Sequence, residues 1–171
     1  MNIKEILDLK IGGQWLVSPV AKETILCREN FSQEHRDIEK MVLKFASERI
    51  FPNVKEIEKL DENFSRSMLK EMGNLGLIGV DAPEEYGGIE LDKITACIVT
   101  EGISFGGSSS FGCTFGVQTG IGSLGIVFFG TPEQKKKYLP KLMSGESIAA
   151  YGLTEPSSGS DALSALSLIH I

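Results

Sequence analysis

Apolar residues recur at steps of three and four from Ser32 onward, with charged residues between them. This spacing places the apolar side chains on one face of an amphipathic helix. The stripe consists of Ile38, Met41, Val42, Phe45, Ala46 and Ile50. We expect Pro52 to kink or end the helix, because proline has no backbone N–H to donate. A similar stripe continues beyond it at Val54, Ile57 and Leu60.

Four more helices are predicted along the chain. A short one carries Met68, Leu69, Met72 and Leu75 and stops at Gly73 or Gly76. Two others run through residues 91–104 and 111–129, and the glycines of the second weaken it, so that it depends on packing. The last has the clearest start, because Thr131 and Gln134 form a capping box around Pro132; it ends near Gly145.

The one predicted strand, Ser147–Leu153, follows all of these helices. The fold class is therefore mainly α: an N-terminal helical domain followed by the first strand of a β-domain. We divide the chain into a leader segment (1–31), the helical domain (32–146) and the start of the β-domain (147–171).

Composition excludes several classes of function. The 171 residues contain 17 Lys and Arg against 23 Asp and Glu, and no basic cluster, which disfavours nucleic acid or an anionic membrane as a partner. Cys27, Cys97 and Cys113 are an odd number without CxxC spacing, which is typical of a reducing compartment. Two histidines beside them are too few for a structural metal site.

No charged residue lies between Glu101 and Glu133, so this stretch is long enough to span a bilayer. Its nine glycines and many hydroxyl side chains leave the apolar density low, and we predict closely packed, buried helices instead of a membrane span.

The segment Gly120–Gly125 matches the GxGxxG dinucleotide pattern. That pattern requires a preceding strand and a long following helix. Here the preceding segment is broken by glycines, and Gly130 and Pro132 cut the following helix short. Glycine-rich helix packing is the better interpretation.

A loop of small polar residues follows the predicted strand and reads Tyr-Gly-Leu-Thr-Glu-Pro-Ser-Ser-Gly-Ser-Asp over residues 151–161. Pro156 prevents further ladder pairing and turns the chain. Such a loop can direct several N–H and hydroxyl donors toward a phosphate or the edge of an electron-rich ring. Taken alone, it could also be an ordinary polar turn.

Several motifs, in order, resemble landmarks of the acyl-CoA dehydrogenases over about residues 32–163. Residues 152–161 resemble the family's flavin-contacting signature. Similarity to the family's other landmarks is found at residues 75–79, 83–88, 116–119 and 129–142. The amino-acid sequence of residues 153–161 is most similar to that of the long- and very-long-chain branch.

The resemblance implies a helical domain, a middle β-domain and a C-terminal helical domain with FAD between them. It also implies that a glutamate removes the α-proton of an acyl-CoA while the β-hydride passes to the flavin, giving a trans-2-enoyl-CoA in fatty acid β-oxidation. Electrons then leave to an electron-transferring flavoprotein. The family also implies a homo-oligomer.

Site residues are carried over position by position. The resemblance places Tyr151 and Leu153 along the flavin and the Thr154 hydroxyl near its N1 and O2 atoms. It places Gly159 and Ser160 at the cofactor's pyrophosphate, with Ser160 also facing the CoA. Glu155 and Asp161 are expected to hold the loop by hydrogen bonds.

Substrate contacts are expected on the helix that carries Gln118, Thr119 and Gly122. These residues lie three to four positions apart, and in the family their face lines the acyl cavity. A glycine at 122 leaves room for a long acyl chain, although close helix packing would explain it equally well.

No residue of this chain is assigned as the catalytic base, which the family carries in its C-terminal domain. We expect a truncated chain that is inactive alone, with residues 164–171 departing from the family pattern. The amino terminus has no targeting segment, which favours the cytoplasm, although a processed mitochondrial chain remains an alternative. Two other functions stay open: an acyl-CoA oxidase or flavin monooxygenase of the same fold, and a helical binding module without flavin.

Overall fold

The computed structural model describes residues 27–165, which fall into two compact units that divide after Asp37. In the first unit, a 3₁₀ turn (Arg28–Asn30) precedes helix α1 (Gln33–Phe45), whose later part belongs to the second unit. The Arg36 guanidinium donates to the backbone carbonyls of Arg28 and Glu29. The predicted leader lies almost entirely outside the described residues.

The second unit is built of helices joined by short turns. After α1 the chain forms a π-helical turn (Ala46–Ile50) and a 3₁₀ turn (Phe51–Asn53) before the single-turn helix α2 (Val54–Ile57). Pro52 lies in the 3₁₀ turn, so the predicted kink is confirmed. The remaining helices are α3 (Glu62–Asn74), α4 (Lys93–Ser104), α5 (Ser109–Thr119), α6 (Leu124–Phe129) and α7 (Pro132–Met143).

Five of these helices begin at a side-chain cap. The capping side chains are Ser32, Asp61, Asp92, Ser108 and Thr131, and each accepts a hydrogen bond from a backbone N–H in the first turn. The predicted capping box at α7 is confirmed, because the Thr131 N–H also donates to Gln134 Oε1 at 2.8 Å. Such caps satisfy donors that a helix cannot satisfy internally.

The main core packs α1, α3, α4 and α5 around one apolar cluster that includes Val42, Met68, Leu69, Ile103 and Phe111.

Glycine lets the helix backbones come close. A Cβ atom on Gly73 would lie 2.2 Å from the Ser144 carbonyl oxygen, just after α7. Gly73 lies inside α3. The helix ends at Asn74, shortly before Gly76, whose φ of 75° lies in the left-handed region. Of the two predicted stops, Gly76 is confirmed and Gly73 is wrong.

The helix predicted over residues 111–129 is wrong as a single element. It is interrupted at 120–123, where the Gly122 N–H donates to the Val117 carbonyl and the Ser123 hydroxyl donates to the Gln118 carbonyl. The segment Ser109–Phe129 is long and apolar enough to cross a membrane, which by itself is weak evidence for a membrane span. The prediction that this segment is buried is confirmed only in part, because 28% of the most apolar 18-residue stretch within Ser109–Phe129 is buried in the structure.

The strand predicted over Ser147–Leu153 is also wrong, since the described residues contain no regular strand there. A strand needs a neighbouring strand to pair its backbone groups. The chain instead runs extended beside α5, where the fully buried Gln118 side chain stands in for a neighbouring strand. Its Nε2 atom donates to the carbonyls of Leu142 (2.8 Å) and Ser147 (3.0 Å), and its Oε1 accepts from the Ala149 N–H at 2.7 Å.

The start of α5 is joined to the end of α2 by one carboxylate. Glu58 Oε1 accepts hydrogen bonds from the Ser110 hydroxyl (2.6 Å) and the Ser108 hydroxyl (2.8 Å), and Ser108 is itself the cap of α5. The hydrogen bond from Ser110, and to a smaller extent the one from Ser108, lowers the pKa of Glu58 below its ordinary value of 4.5.

We predict that Glu58→Gln lowers the thermal unfolding midpoint at neutral pH. Because the folded pKa lies below the unfolded one, the carboxylate's contribution is present above pH 4.5 and is lost as pH falls through the folded pKa. The midpoint difference between Glu58→Gln and wild type should therefore shrink on acidification. Glu56→Gln is the matched control, since Glu56 pairs only with exposed Lys59 in its own helical region. A difference that does not change with pH would contradict the assigned role.

We predict that Gln118→Leu lowers the free energy of unfolding by about 3 kcal/mol, because it leaves buried backbone donors and acceptors unsatisfied. The Ala149 amide should also exchange its hydrogen faster. Thr119→Val is the matched control: the Thr119 hydroxyl donates only to the Phe115 carbonyl of its own helix, and its loss should cost about 0.5 kcal/mol or less. Urea unfolding and hydrogen exchange provide the two measurements, and equal effects of both substitutions would refute this role of Gln118.

Candidate functional site

The loop over residues 151–161 is held by a tight turn at its centre. The Glu155 N–H donates to the Ser158 carbonyl at 2.7 Å, and the Ser158 N–H donates back to the Glu155 carbonyl at 3.2 Å. Ser158 is buried, and its hydroxyl donates to the Asp161 carbonyl at 2.5 Å. The Asp161 carboxylate accepts from the Ser164 hydroxyl. The expectation that Glu155 and Asp161 hold this loop is confirmed, for Glu155 through its backbone.

All five residues predicted to bind the cofactor lie on this loop, and the loop leaves most of them open to solvent. Tyr151 is 55% exposed, and Leu153, Thr154 and Ser160 are exposed as well. Thr154 and Gly159 lie close together, since a Cβ atom on Gly159 would lie 3.9 Å from the Thr154 methyl group. The predicted residues thus lie on one segment, and four of the five are exposed.

The loop carries hydroxyl donors and open backbone. Thr154 and Ser160 can direct hydroxyl donors toward a ring edge or a phosphate, and a side chain at Gly152 would meet no atom within 4 Å. A planar ligand could approach the backbone closely there. The loop thus offers uncharged hydroxyl donors and open backbone, together with the carboxylates of Glu155 and Asp161.

An apolar cavity of about 490 Å³ lies between α4, α5 and the segment that follows α3. Its volume falls in the range of ligand pockets. Its apolar wall includes Leu77, Ile78, Val80, Ala96, Val99 and Phe115, and Cys97, Thr100 and Thr119 also line it. Sequence reasoning missed these apolar residues, because the run from Leu77 to Val80 and the stripe on α4 resemble ordinary core positions.

An ion pair stands at the rim of this cavity. Asp81 pairs with Lys93, and the Lys93 ammonium also lies 5.7 Å from the centre of the Phe128 ring. The two contacts connect the segment after α3, the start of α4 and the end of α6. The cavity thus has an apolar interior and a charged edge, which suits a ligand with an apolar tail and a polar head.

The structure does not bring Gln118, Thr119 and Gly122 into one cavity. Thr119 lines the apolar cavity, whereas Gln118 faces the extended chain at 147–149 on the other side of α5. Gly122 faces the same chain: a Cβ atom on it would lie 2.5 Å from the Ala149 methyl group. Close packing is thereby a sufficient reason for this glycine, and the predicted substrate contacts of Gln118 and Gly122 stay predictions.

Among residues 27–165, no three His, Cys, Asp or Glu side chains converge as metal ligands. Cys27, Cys97 and Cys113 are free and exposed.

Residues 32–146 match the family described as the acyl-CoA dehydrogenase N-terminal domain. A probable acyl-CoA dehydrogenase of Bacillus subtilis is 48% identical over 162 residues, which is 95% of this chain and 27% of that protein. A crystal structure of an acyl-CoA dehydrogenase from Bacillus anthracis, complexed with FAD, superimposes with a TM-score of 0.85 at 47% identity and covers 90% of this chain and 26% of that one.

A chain in the structure of the electron transferring flavoprotein of Acidaminococcus fermentans is also similar. It has a TM-score of 0.70 and 34% identity, over 81% of this chain and 36% of that one. This chain thus spans about a quarter of the length of the two Bacillus proteins. Since the family match covers more than half of its residues, this chain belongs to the acyl-CoA dehydrogenase family and contains that family's N-terminal helical domain.

Proposed function

We propose that the protein carrying this chain oxidises a fatty acyl-CoA to the trans-2-enoyl-CoA with FAD as cofactor. The observation that carries this proposal is the similarity to the FAD-complexed Bacillus anthracis enzyme over 90% of the chain. The exposed loop over residues 151–161 and the apolar cavity beside α4 and α5 support it independently.

The cofactor contacts follow from the loop. When bound, FAD supplies a ring that accepts a hydride from the β-carbon of the acyl group. Thr154 would donate a hydrogen bond to the ring's pyrimidine edge, where negative charge develops, with the backbone of Tyr151 and Leu153 beside it. Because a donor held in place before the reaction needs no reorganisation, Thr154 would stabilise the transition state. Gly159 and Ser160 would bind the pyrophosphate.

The acyl group would lie in the apolar cavity, with Thr119 in its wall, and Ser160 would face the CoA. Each buried methylene stabilises binding by about 0.8 kcal/mol, so an apolar wall of this size favours a long chain.

Other parts of the reaction lie outside these residues. We assign no residue of this chain as the base that removes the α-proton, so this chain alone would not turn over. An electron-transferring flavoprotein would be the electron acceptor and the enzyme would be a homo-oligomer; the bacterial relatives favour the cytoplasm.

We predict that Thr154→Val in the protein carrying this chain lowers turnover about a hundredfold and makes the flavin potential more negative, because one preorganised donor is lost. FAD content, potential and steady-state rate are the measurements. Ser157→Ala is the matched control, since Ser157 is an exposed hydroxyl of the same loop outside the proposed contacts. If Thr154→Val leaves all three quantities at wild-type values, the loop does not bind the flavin in this way.

We also predict that the substrate-reduced flavin is reoxidised slowly by air and rapidly by an electron-transferring flavoprotein. Stopped-flow absorbance near the flavin band measures both rates on the same preparation. An acyl-CoA oxidase of the same fold would show rapid reoxidation by air, and a helical binding module would contain no flavin to reduce.

A further inference from the structure

Thr154, the proposed flavin donor, lies between two points at which hydrogen bonds fix the chain. Before it, the Gln118 side chain accepts a hydrogen bond from the Ala149 N–H at 2.7 Å. After it, the tight turn that begins at Glu155 closes the loop. Because only residues 150–154 separate the two points, a displacement of the first point is passed to Thr154 over a short stretch of chain.

The Gln118 side chain has no hydrogen-bond donor left for a substrate. It is fully buried, and its Nε2 atom uses both N–H groups, one on the Leu142 carbonyl and one on the Ser147 carbonyl. All of its hydrogen bonds therefore go to the backbone around residues 142–149. The apolar cavity, where a substrate tail would lie, is on the other side of α5.

A packing contact fixes how closely the same stretch of chain approaches the end of α5. A Cβ atom on Gly122 would lie 2.5 Å from the Ala149 methyl group. The backbone that carries this contact is itself held, because the Gly122 N–H donates to the Val117 carbonyl and the Ser123 hydroxyl donates to the Gln118 carbonyl. A hydrogen bond and a packing contact thus constrain Ala149 from two neighbouring positions.

We propose that Gln118 is a positioning residue for the flavin, because through Ala149 it fixes where the loop over residues 151–161 begins and thereby where the Thr154 hydroxyl stands. This inference rests on the proposed function. It gives Gln118 a role in the redox step instead of the substrate contact that the sequence led us to expect. A donor held in place before the hydride arrives stabilises the reduced ring without reorganisation. Loss of the anchor therefore weakens binding of the reduced flavin more than binding of the oxidised flavin.

The test compares wild type and Gln118→Leu in the protein carrying this chain, loaded with FAD and assayed with palmitoyl-CoA. Leucine is also a large side chain but bonds to no backbone group, so the loop is no longer anchored at Ala149. The ratio of affinities for reduced over oxidised flavin should fall about tenfold, which makes the two-electron potential about 30 mV more negative. The kcat should also fall about tenfold, whereas KM should change less than about threefold, because the cavity wall is unaltered.

Val42→Ala is the matched control for a general loss of stability. Val42 is fully buried in the main core and packs against Gly102 of α4, so its truncation leaves a cavity there. This variant should keep the wild-type potential, kcat and KM. A potential that shifts equally in Val42→Ala and Gln118→Leu would overturn the inference.

Two further variants move the chain without removing the amide, so the test does not depend on Gln118→Leu folding. In Gly122→Ala the new methyl group collides with the Ala149 methyl group, and the potential should become more negative. Adding Ala149→Gly removes this collision and should restore at least about half of the shift. The close approach to the Val117 carbonyl is present in both variants, so their difference reports on Ala149 alone. A double variant with the potential of Gly122→Ala would contradict the assigned role.

The outcomes separate the inference from the proposed function. If wild type binds no FAD or oxidises no acyl-CoA, the proposed function fails and the inference fails with it. If wild type is active and Gln118→Leu keeps the wild-type potential, the inference alone is overturned. A raised KM in that variant would then indicate the substrate contact expected from the sequence.

Discussion

The structure depends on how the chain at 147–149, which has no neighbouring strand among residues 27–165, satisfies its backbone polar groups. That chain leaves α7 and runs beside α5, where the Gln118 amide bonds to the backbone of Leu142, Ser147 and Ala149. A single buried side chain thus takes the place of part of a strand ladder. Since the loop that begins at Tyr151 follows directly, the position of the proposed flavin donors depends on this amide.

Glycine has two opposite uses in the helical domain. At Gly73 and Gly122 the neighbouring backbone or side chain is so close that any larger residue would collide with it. At Gly112 and Gly116 the space is open, and glycine keeps one face of α5 free. The first use draws the helices and the extended chain together, and the second leaves open space along α5 among the described residues. Residue type alone does not distinguish the two uses, because the distinction lies in what faces each Cα atom.

The cavity and the chain at 147–149 lie on different sides of α5, which explains why the predicted substrate residues separate. Gln118 and Gly122 face the chain that leads to the loop, whereas Thr119 faces the cavity. On one helix, adjacent positions point about 100° apart, so a motif of consecutive residues naturally serves two surfaces. The Gln-Thr pair therefore connects the chain that leads to the loop over residues 151–161 with the wall of the apolar cavity.

The sequence alone was sufficient for features that depend on neighbouring residues: the capping box at Thr131, the break in the regular helix before Pro52 and the turn at Pro156. Caps and proline effects act within a few residues, so they can be read locally. The family resemblance likewise identified the segment that carries the loop. Only the tertiary structure decided the break at 120–123, the absence of a regular strand at 147–153 and the walls of the cavity. These depend on residues distant in the chain, such as Ala149 against Gly122 and Ser144 against Gly73, and no local pattern records which distant atoms will meet.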